Sequence, residues 1–425
     1  MLEIVVFTYT LYFFLRTYTS IMQIGYINDE KRKTPVLMSA SKYLIAGNYA
    51  VAKEKLGVVE SFVDYLLFLW WVIAGFTLLQ GMITIDNQII EAIVFLFGFT
   101  AISYIIGLPF ELYQTFKIDE AFGFNKMTPK MYAVDALKSI LMFFVFGGLI
   151  FGALAWIIVG YEHWWIWGFG MLFTIALLVN VLYPTVIAPI FNTFNPIEEG
   201  ELKEAITTMM QSVGLKSDGI FVMDASKRDS RLNAYFGGLG KTKRVVLFDT
   251  LLAKLNKDEL LAVLGHELGH FKHGDIWKNI ILMGVLLFVS FFLLGNLPDE
   301  LFSSMGVIPE AGVQIATMTL LLPVVSFVFT PIMSFVSRHN EYAADEFGSE
   351  MGGKENLVSA LMKLVTENKA FPKSHPLVIF FYYTHPPIIE RLKELGFDAS
   401  NTIVGEEDEL KKDGIFAFID EEKKV

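Results

Sequence analysis

Apolar residues in this chain come in blocks rather than in alternation. Seven blocks of roughly twenty residues with few charges lie at about 4–22, 65–85, 92–110, 140–160, 165–188, 276–295 and 313–336, each long enough to cross the hydrocarbon of a bilayer as a helix. The first contains Arg16, yet no basic segment precedes it and no small-residue cleavage site follows, so it reads as a helix rather than a signal peptide. Elsewhere the pattern changes. Residues 23–61 are mixed polar and read as an arm between the first two spans. Pro184 and Pro189 end the fifth block, and a polar amphipathic helix is expected to begin at Asn195. Gly219 to Asp224, Ser230 to Phe236 and Arg244 to Phe248 read as strands, the last two joined by a glycine-rich turn over Gly237 to Lys243. Asn256 to Gly274 reads as a helix, because Asn256 and Glu259 have capping-box spacing and Gly274 suits the position past its end.

The chain therefore divides into 1–188 with five membrane helices, 189–275, a further pair of membrane helices over 276–336, and 337–425. Composition agrees with a multipass membrane protein. Of the 425 residues 54% are hydrophobic and 19% charged, and the mean hydropathy is +0.49. His163 and the tryptophans at 164, 165 and 167 suit an interfacial anchor. Lys31, Arg32, Lys33, Lys42, Lys53 and Lys55 follow the first block, and Lys117, Lys126 and Lys130 the third, while the connections near 86–91, 161–163 and 296–312 have neither residue type. By the positive-inside rule the N-terminus lies outside and both polar segments, with the C-terminus, lie in the cytoplasm. The absence of cysteine removes disulfides and thiolate ligands. The net charge of −11 is carried partly by a tail beginning Glu406 to Glu409, and nucleic acid is not an expected partner.

The candidate chemistry lies in the two polar segments. His266-Glu267-Leu268-Gly269-His270 has the H-E-x-x-H pattern. On a helix His266 and His270 leave one face and can meet one ion, with zinc the natural candidate, and Glu267 is placed as general base on a water. A catalytic zinc site takes three protein ligands. His273 is about two turns from His266, roughly 10 Å along the axis, too far to share the ion. The third ligand is assigned to Glu341 in Ser337 to Asp345, with Asp345 or Arg338 as its support. Beside such a helix an exposed strand edge can hold an extended peptide, and Asn233-Ala234-Tyr235 is the candidate edge. A late His385-Pro386-Pro387, followed by Arg391, offers an oxyanion donor.

With these motifs the chain resembles the type I CAAX prenyl endopeptidases, which are integral-membrane zinc proteases. Tyr113 to Phe116, Gly123 to Lys126, Tyr183 to Thr185, Met223 to Arg228, Asn233 to Phe236, Val246 to Leu252 and His385 to Pro387 extend the likeness over nearly the whole chain. The resemblance implies seven transmembrane helices around a water-filled chamber, capped by a cytoplasmic α+β zinc-metalloprotease domain. It further implies one zinc per chain on His266, His270 and Glu341, Glu267 as base, a substrate strand at Asn233, Ala234 and Tyr235, and His385 and Arg391 near the active site. The substrates would be proteins ending in a prenylated CAAX sequence, losing their last three residues. The membrane would be the endoplasmic reticulum or, for a bacterial relative, the inner membrane. Two other functions share these features: a quality-control protease for misfolded membrane proteins, and a transporter or scaffold with structural zinc.

Overall fold

The computed structural model describes residues 1–215, 219–238 and 243–398. The acidic stretch at 406–409 and most of the turn after Gly237 lie outside these residues. Among the described residues, six helices are long and apolar enough to cross a membrane: Ala40–Met82, Gln88–Asp119, Pro129–Gly160, Trp164–Phe191, Asp275–Leu294 and Ala311–Gly352. The expected seventh span is also a helix, Leu2–Glu30, but Arg16 and the threonines and tyrosines between Thr8 and Thr19 dilute its apolarity. That helix lies along the Ala40–Met82 helix, where Tyr9 stacks on Phe68 at 3.7 Å and the Thr10 and Tyr65 hydroxyls share a hydrogen bond of 2.8 Å.

Most of the expected polar arm at 23–61 is helical. The first helix continues to Glu30 and the second begins at Ala40, after Ser39 accepts a hydrogen bond from the Lys42 N–H. Tyr43, Ala46 and Tyr49 recur at helical spacing and are buried, which is why the helix holds without a purely apolar sequence.

The last membrane helix, Ala311–Gly352, has 42 residues and is about 63 Å long at 1.5 Å per residue, twice what a bilayer core requires. Its first part is the apolar block, and its remainder is the polar stretch that carries Glu341 and Asp345 beyond that block. Pro331 offers no N–H to the Phe327 carbonyl, and the Thr330 hydroxyl donates to that carbonyl instead, at 2.6 Å.

At the same end of the bundle is a four-stranded sheet, ordered β1-β2-β4-β3, from β1 (Phe194–Pro196), β2 (Ile220–Met223), β3 (Ala234–Gly237) and β4 (Arg244–Phe248). β2 and β4 are parallel, and β3 is antiparallel to β4 with Ala234 opposite Leu247. The sequence did not announce β1. Pro196 fits there because an edge strand tolerates the missing N–H, and the helix expected from Asn195 starts only at Glu201. The strand expected from Ser230 starts at Ala234, because the preceding N–H groups are taken elsewhere. Ser230 donates to the Phe124 carbonyl, Arg231 to Asp229 Oδ1 and Leu232 to Asn368 Oδ1. Arg231 also ties the sheet to the membrane helices, donating to Asp119 at 2.8 Å and to the Tyr49 hydroxyl at 2.6 Å, with its guanidinium 4.2 Å from the Phe124 ring. The helix Lys257–Lys272 lies between the sheet and the long helix, around a core that includes Ile206, Leu247, Leu260, Leu264 and Phe347.

Candidate active site

The helix Lys257–Lys272 begins with the expected capping box, Asn256 Oδ1 accepting from the Glu259 N–H and Glu259 Oε2 accepting from the Asn256 N–H, both at 2.9 Å. Lys363 and Ser359 donate to the same buried carboxylate. The first turn is thereby locked, which fixes the rotation of His266, Glu267 and His270 about the helix axis.

Its distance from the long helix is set by glycine. A methyl group on Gly269 would meet the Ala344 Cα at 2.9 Å, and one on Gly348 would meet the His266 backbone nitrogen at 2.8 Å. Gly352 is in similar contact with Ala262. Such close backbone approach brings both histidines within reach of Glu341. Gly348→Ala is therefore expected to weaken metal binding, although Gly348 offers no ligand atom. Overpacking costs about 1–3 kcal/mol, or roughly 5- to 150-fold in affinity if all of it falls on metal binding. Competition titration with a chelator, comparing the variant with wild type, would read this directly, and an unchanged constant would refute it.

Three donor groups converge. His266 Nε2 is 3.6 Å from Glu341 Oε2, and His270 Nε2 is 3.3 Å from Glu341 Oε1, so one ligand atom from each residue falls within 4.8 Å of the others. Each imidazole is held from behind by a carboxylate, with His266 Nδ1 2.8 Å from Asp345 Oδ1 and His270 Nδ1 2.9 Å from Asp275 Oδ2. A proton on each Nδ1 leaves each Nε2 lone pair aimed at the cluster. Glu341 Oε2 is buried and accepts no hydrogen bond, with the Arg391 guanidinium in an ion pair 3.4 Å away. Two imidazole nitrogens turned toward a carboxylate that accepts no hydrogen bond at Oε2 fit a metal ion well, and three ligands leave a position open for chemistry.

Asp275 was not foreseen. It directly follows Gly274 and reads as an ordinary first-turn residue of the next membrane helix. The only hint is its place one turn and one residue beyond His270, and its burial, with Lys278 bonded to its other oxygen, is visible only in three dimensions.

Arg338 does not support Glu341 as expected. Its guanidinium donates to the carbonyls of Ile379 at 2.7 Å and Tyr383 at 2.8 Å, because the short helix Pro376–Tyr382 packs beside it and leaves those acceptors open. Arg391 is the cation of the cluster. Its Nε and Nη2 grip both Asp345 oxygens at 2.7 and 2.6 Å, and its Nη1 is 3.4 Å from Glu341 Oε2. His385 lies on the open side with 63% of its side chain exposed and its Nε2 3.3 Å from Glu341 Oε1. His273 is turned away, its ring 6.3 Å from that of Phe347.

Glu267 faces a cavity of about 530 Å³ together with Asn233, Ala234 and His385. Burial pushes its carboxyl group above the ordinary value, against the opposing pull of His266 and His270. Among the described residues no strand lies beyond β3, whose first residue, Ala234, lines this cavity. Tyr235 contributes differently, its ring packed edge-on against Phe248 at 6.3 Å.

Known proteins resemble this chain in sequence and in fold. Residues 196–397 match the model of peptidase family M48, and residues 30–193 match that of the CAAX prenyl protease N-terminal region, described as five membrane helices. The chain is 36% identical to the human CAAX prenyl protease 1 homolog over 73% of its own length and 74% of that protein's. It is 32% identical to the CAAX prenyl protease 1 of Saccharomyces cerevisiae, over 82% and 84%. The crystal structure of S. mikatae Ste24p superposes with a TM-score of 0.86 at 29% identity, covering 93% of this chain and 99% of that one.

Proposed function

Because the chain belongs to the CAAX prenyl protease 1 family of M48 peptidases, and is thus a membrane metalloendopeptidase, we propose that it uses zinc to release the C-terminal tripeptide of prenylated CAAX proteins. The observation that carries the chemistry is the convergence of His266 Nε2, His270 Nε2 and Glu341 beside Glu267, in a cavity bordered by an open strand edge. Zinc on those three ligands would supply Lewis acidity at the scissile carbonyl and make water nucleophilic near neutral pH. Glu267 takes the proton from the attacking water and returns it to the departing amide nitrogen. Asp345 and Asp275 keep His266 and His270 in the tautomer that leaves Nε2 free. His385, exposed at the cavity mouth, donates to the oxyanion, and Arg391 balances the charge of Asp345 and Glu341 from behind. Within Asn233-Ala234-Tyr235, the outward-facing main chain of Ala234 holds the substrate main chain. The lysine and arginine distribution supports a cytoplasmic active site, with the first helix as a seventh span and the N-terminus outside.

The test is a set of three substrates offered to detergent-purified protein: a farnesylated CAAX peptide, the same peptide without farnesyl, and an unstructured polypeptide. The expected result is loss of three residues from the first, with kcat/KM at least about tenfold above the second, since burial of even part of an isoprenoid exceeds the 1.4 kcal/mol this requires. A chelator should remove the activity and zinc restore it. Cleavage of the unstructured chain alone would replace this reading with quality control.

A further inference from the structure

The outer edge of β3 is shorter than the extended segment that contains it. The Asn233 carbonyl accepts from the Phe248 N–H at 3.2 Å, so Asn233 faces β4. In an antiparallel pair the next residues on either side, Leu232 and Ala234, direct their N–H and C=O groups the opposite way, toward the open edge. At Ala234 the N–H is covered, among the described residues, by the Asn233 side chain alone, at 2.8 Å. At Leu232 both groups are already bonded, the N–H to Asn368 Oδ1 at 2.8 Å and the carbonyl to Asn368 Nδ2 at 3.1 Å. A carboxamide that donates and accepts at one residue stands where the main chain of an added strand would stand.

Asn368 is held firmly in that place. It follows the helix Lys354–Glu367, its own N–H bonds to the Leu364 carbonyl, and the chain beyond it doubles back so that the Ala370 N–H meets the Val365 carbonyl. Lys369 takes the left-handed conformation this requires, at φ +46°. Asn368, Leu232, Ala234 and Glu267 all line the same cavity.

We propose that Asn368 is a specificity-determining stop: it closes the strand edge at Leu232, so that a peptide can pair with Ala234 and Phe236 but no further. A peptide added antiparallel to β3 runs from Phe236 toward Leu232, so its C-terminal end is the part that meets Asn368. The stop thereby limits how many residues can follow the scissile bond. The proposal rests on the reading of β3 as the substrate edge, and it gives a physical reason for a short C-terminal product.

The experiment compares peptides of normal C-terminal length with others extended by two or three residues, each with and without farnesyl, on the full-length protein. Wild type should cut the extended peptides poorly. Asn368→Ala frees both Leu232 groups and should raise the extended-to-normal ratio of kcat/KM by about tenfold, the effect of one or two hydrogen bonds, with longer released fragments by mass spectrometry. An unchanged ratio, or a parallel fall on both lengths with metal content intact, overturns the stop. Should the alanine variant not fold, the same ratio is read from Asn368→Asp, which keeps the acceptor for the Leu232 N–H and loses the donor to its carbonyl. A ratio that shifts on plain peptides while no farnesylated peptide is cut would sink the substrate class and leave the stop standing.

Discussion

Replacing Glu267 by glutamine is expected to lower kcat by about 10²- to 10⁴-fold, the usual range for a general acid–base group, while each chain still binds one metal ion. Glutamine has nearly the same shape, so the packing around His266 and His270 is retained, and what is lost is a group able to take and return a proton. Glu267 occupies the right ground for this. It projects from the motif helix beside both histidines, faces the cavity shared with Asn233, Ala234 and His385, and is held above the usual carboxylate range by burial. A base with a raised pKa is better matched to proton transfer near neutrality. Single-turnover kinetics on a cleavable peptide, with metal measured in the same samples, decides the matter. Activity within tenfold of wild type would remove Glu267 from the base role, whereas loss of both activity and metal would show that the site itself had come apart.

Arg391→Leu should destabilise the protein by about 3–5 kcal/mol, the cost of stripping a buried carboxylate of its partner. Arg391 and Asp345 are both almost fully buried, and Asp345 would keep only the His266 Nδ1 proton as donor. Lysine should rescue only partly, because a point charge cannot occupy both oxygens of Asp345 as the guanidinium does. The double variant Arg391→Leu with Asp345→Leu should recover much of the lost stability and none of the activity, since His266 then has nothing to fix its tautomer. Thermal unfolding in detergent at neutral pH measures each, and a single variant within 1 kcal/mol of wild type would contradict the charge argument.

Much of this site could be read from the chain alone because it is written in local spacing. His266 and His270 are four residues apart on a helix whose start is marked by Asn256 and Glu259, and Glu341 and Asp345 repeat that four-residue interval. What could not be read depends on which elements meet. Arg338 is spaced to pair with Glu341, yet a neighbouring helix with open carbonyls draws it away. Asp275, Asn368 and Gly348 belong to no motif. Their roles arise from packing between segments far apart in sequence, and an aspartate, an asparagine or a glycine at a helix end always has a local explanation available. The first helix shows the opposite case, where a clear helical signal says little about whether the helix crosses the membrane, because Arg16 and its polar neighbours leave that to the surrounding structure.

The two halves of the metal cluster are separated by an excursion through the membrane and back, from Asp275 to the lower part of the long helix. During synthesis the histidine helix is therefore complete while Glu341 is still unmade, and Glu341 can reach it only after two more helices have entered the bilayer. Assembly of the donor cluster is in this way timed by insertion: a chain that stalls halfway into the membrane has the two histidines but not Glu341, and the complete cluster is withheld from its own unfinished state.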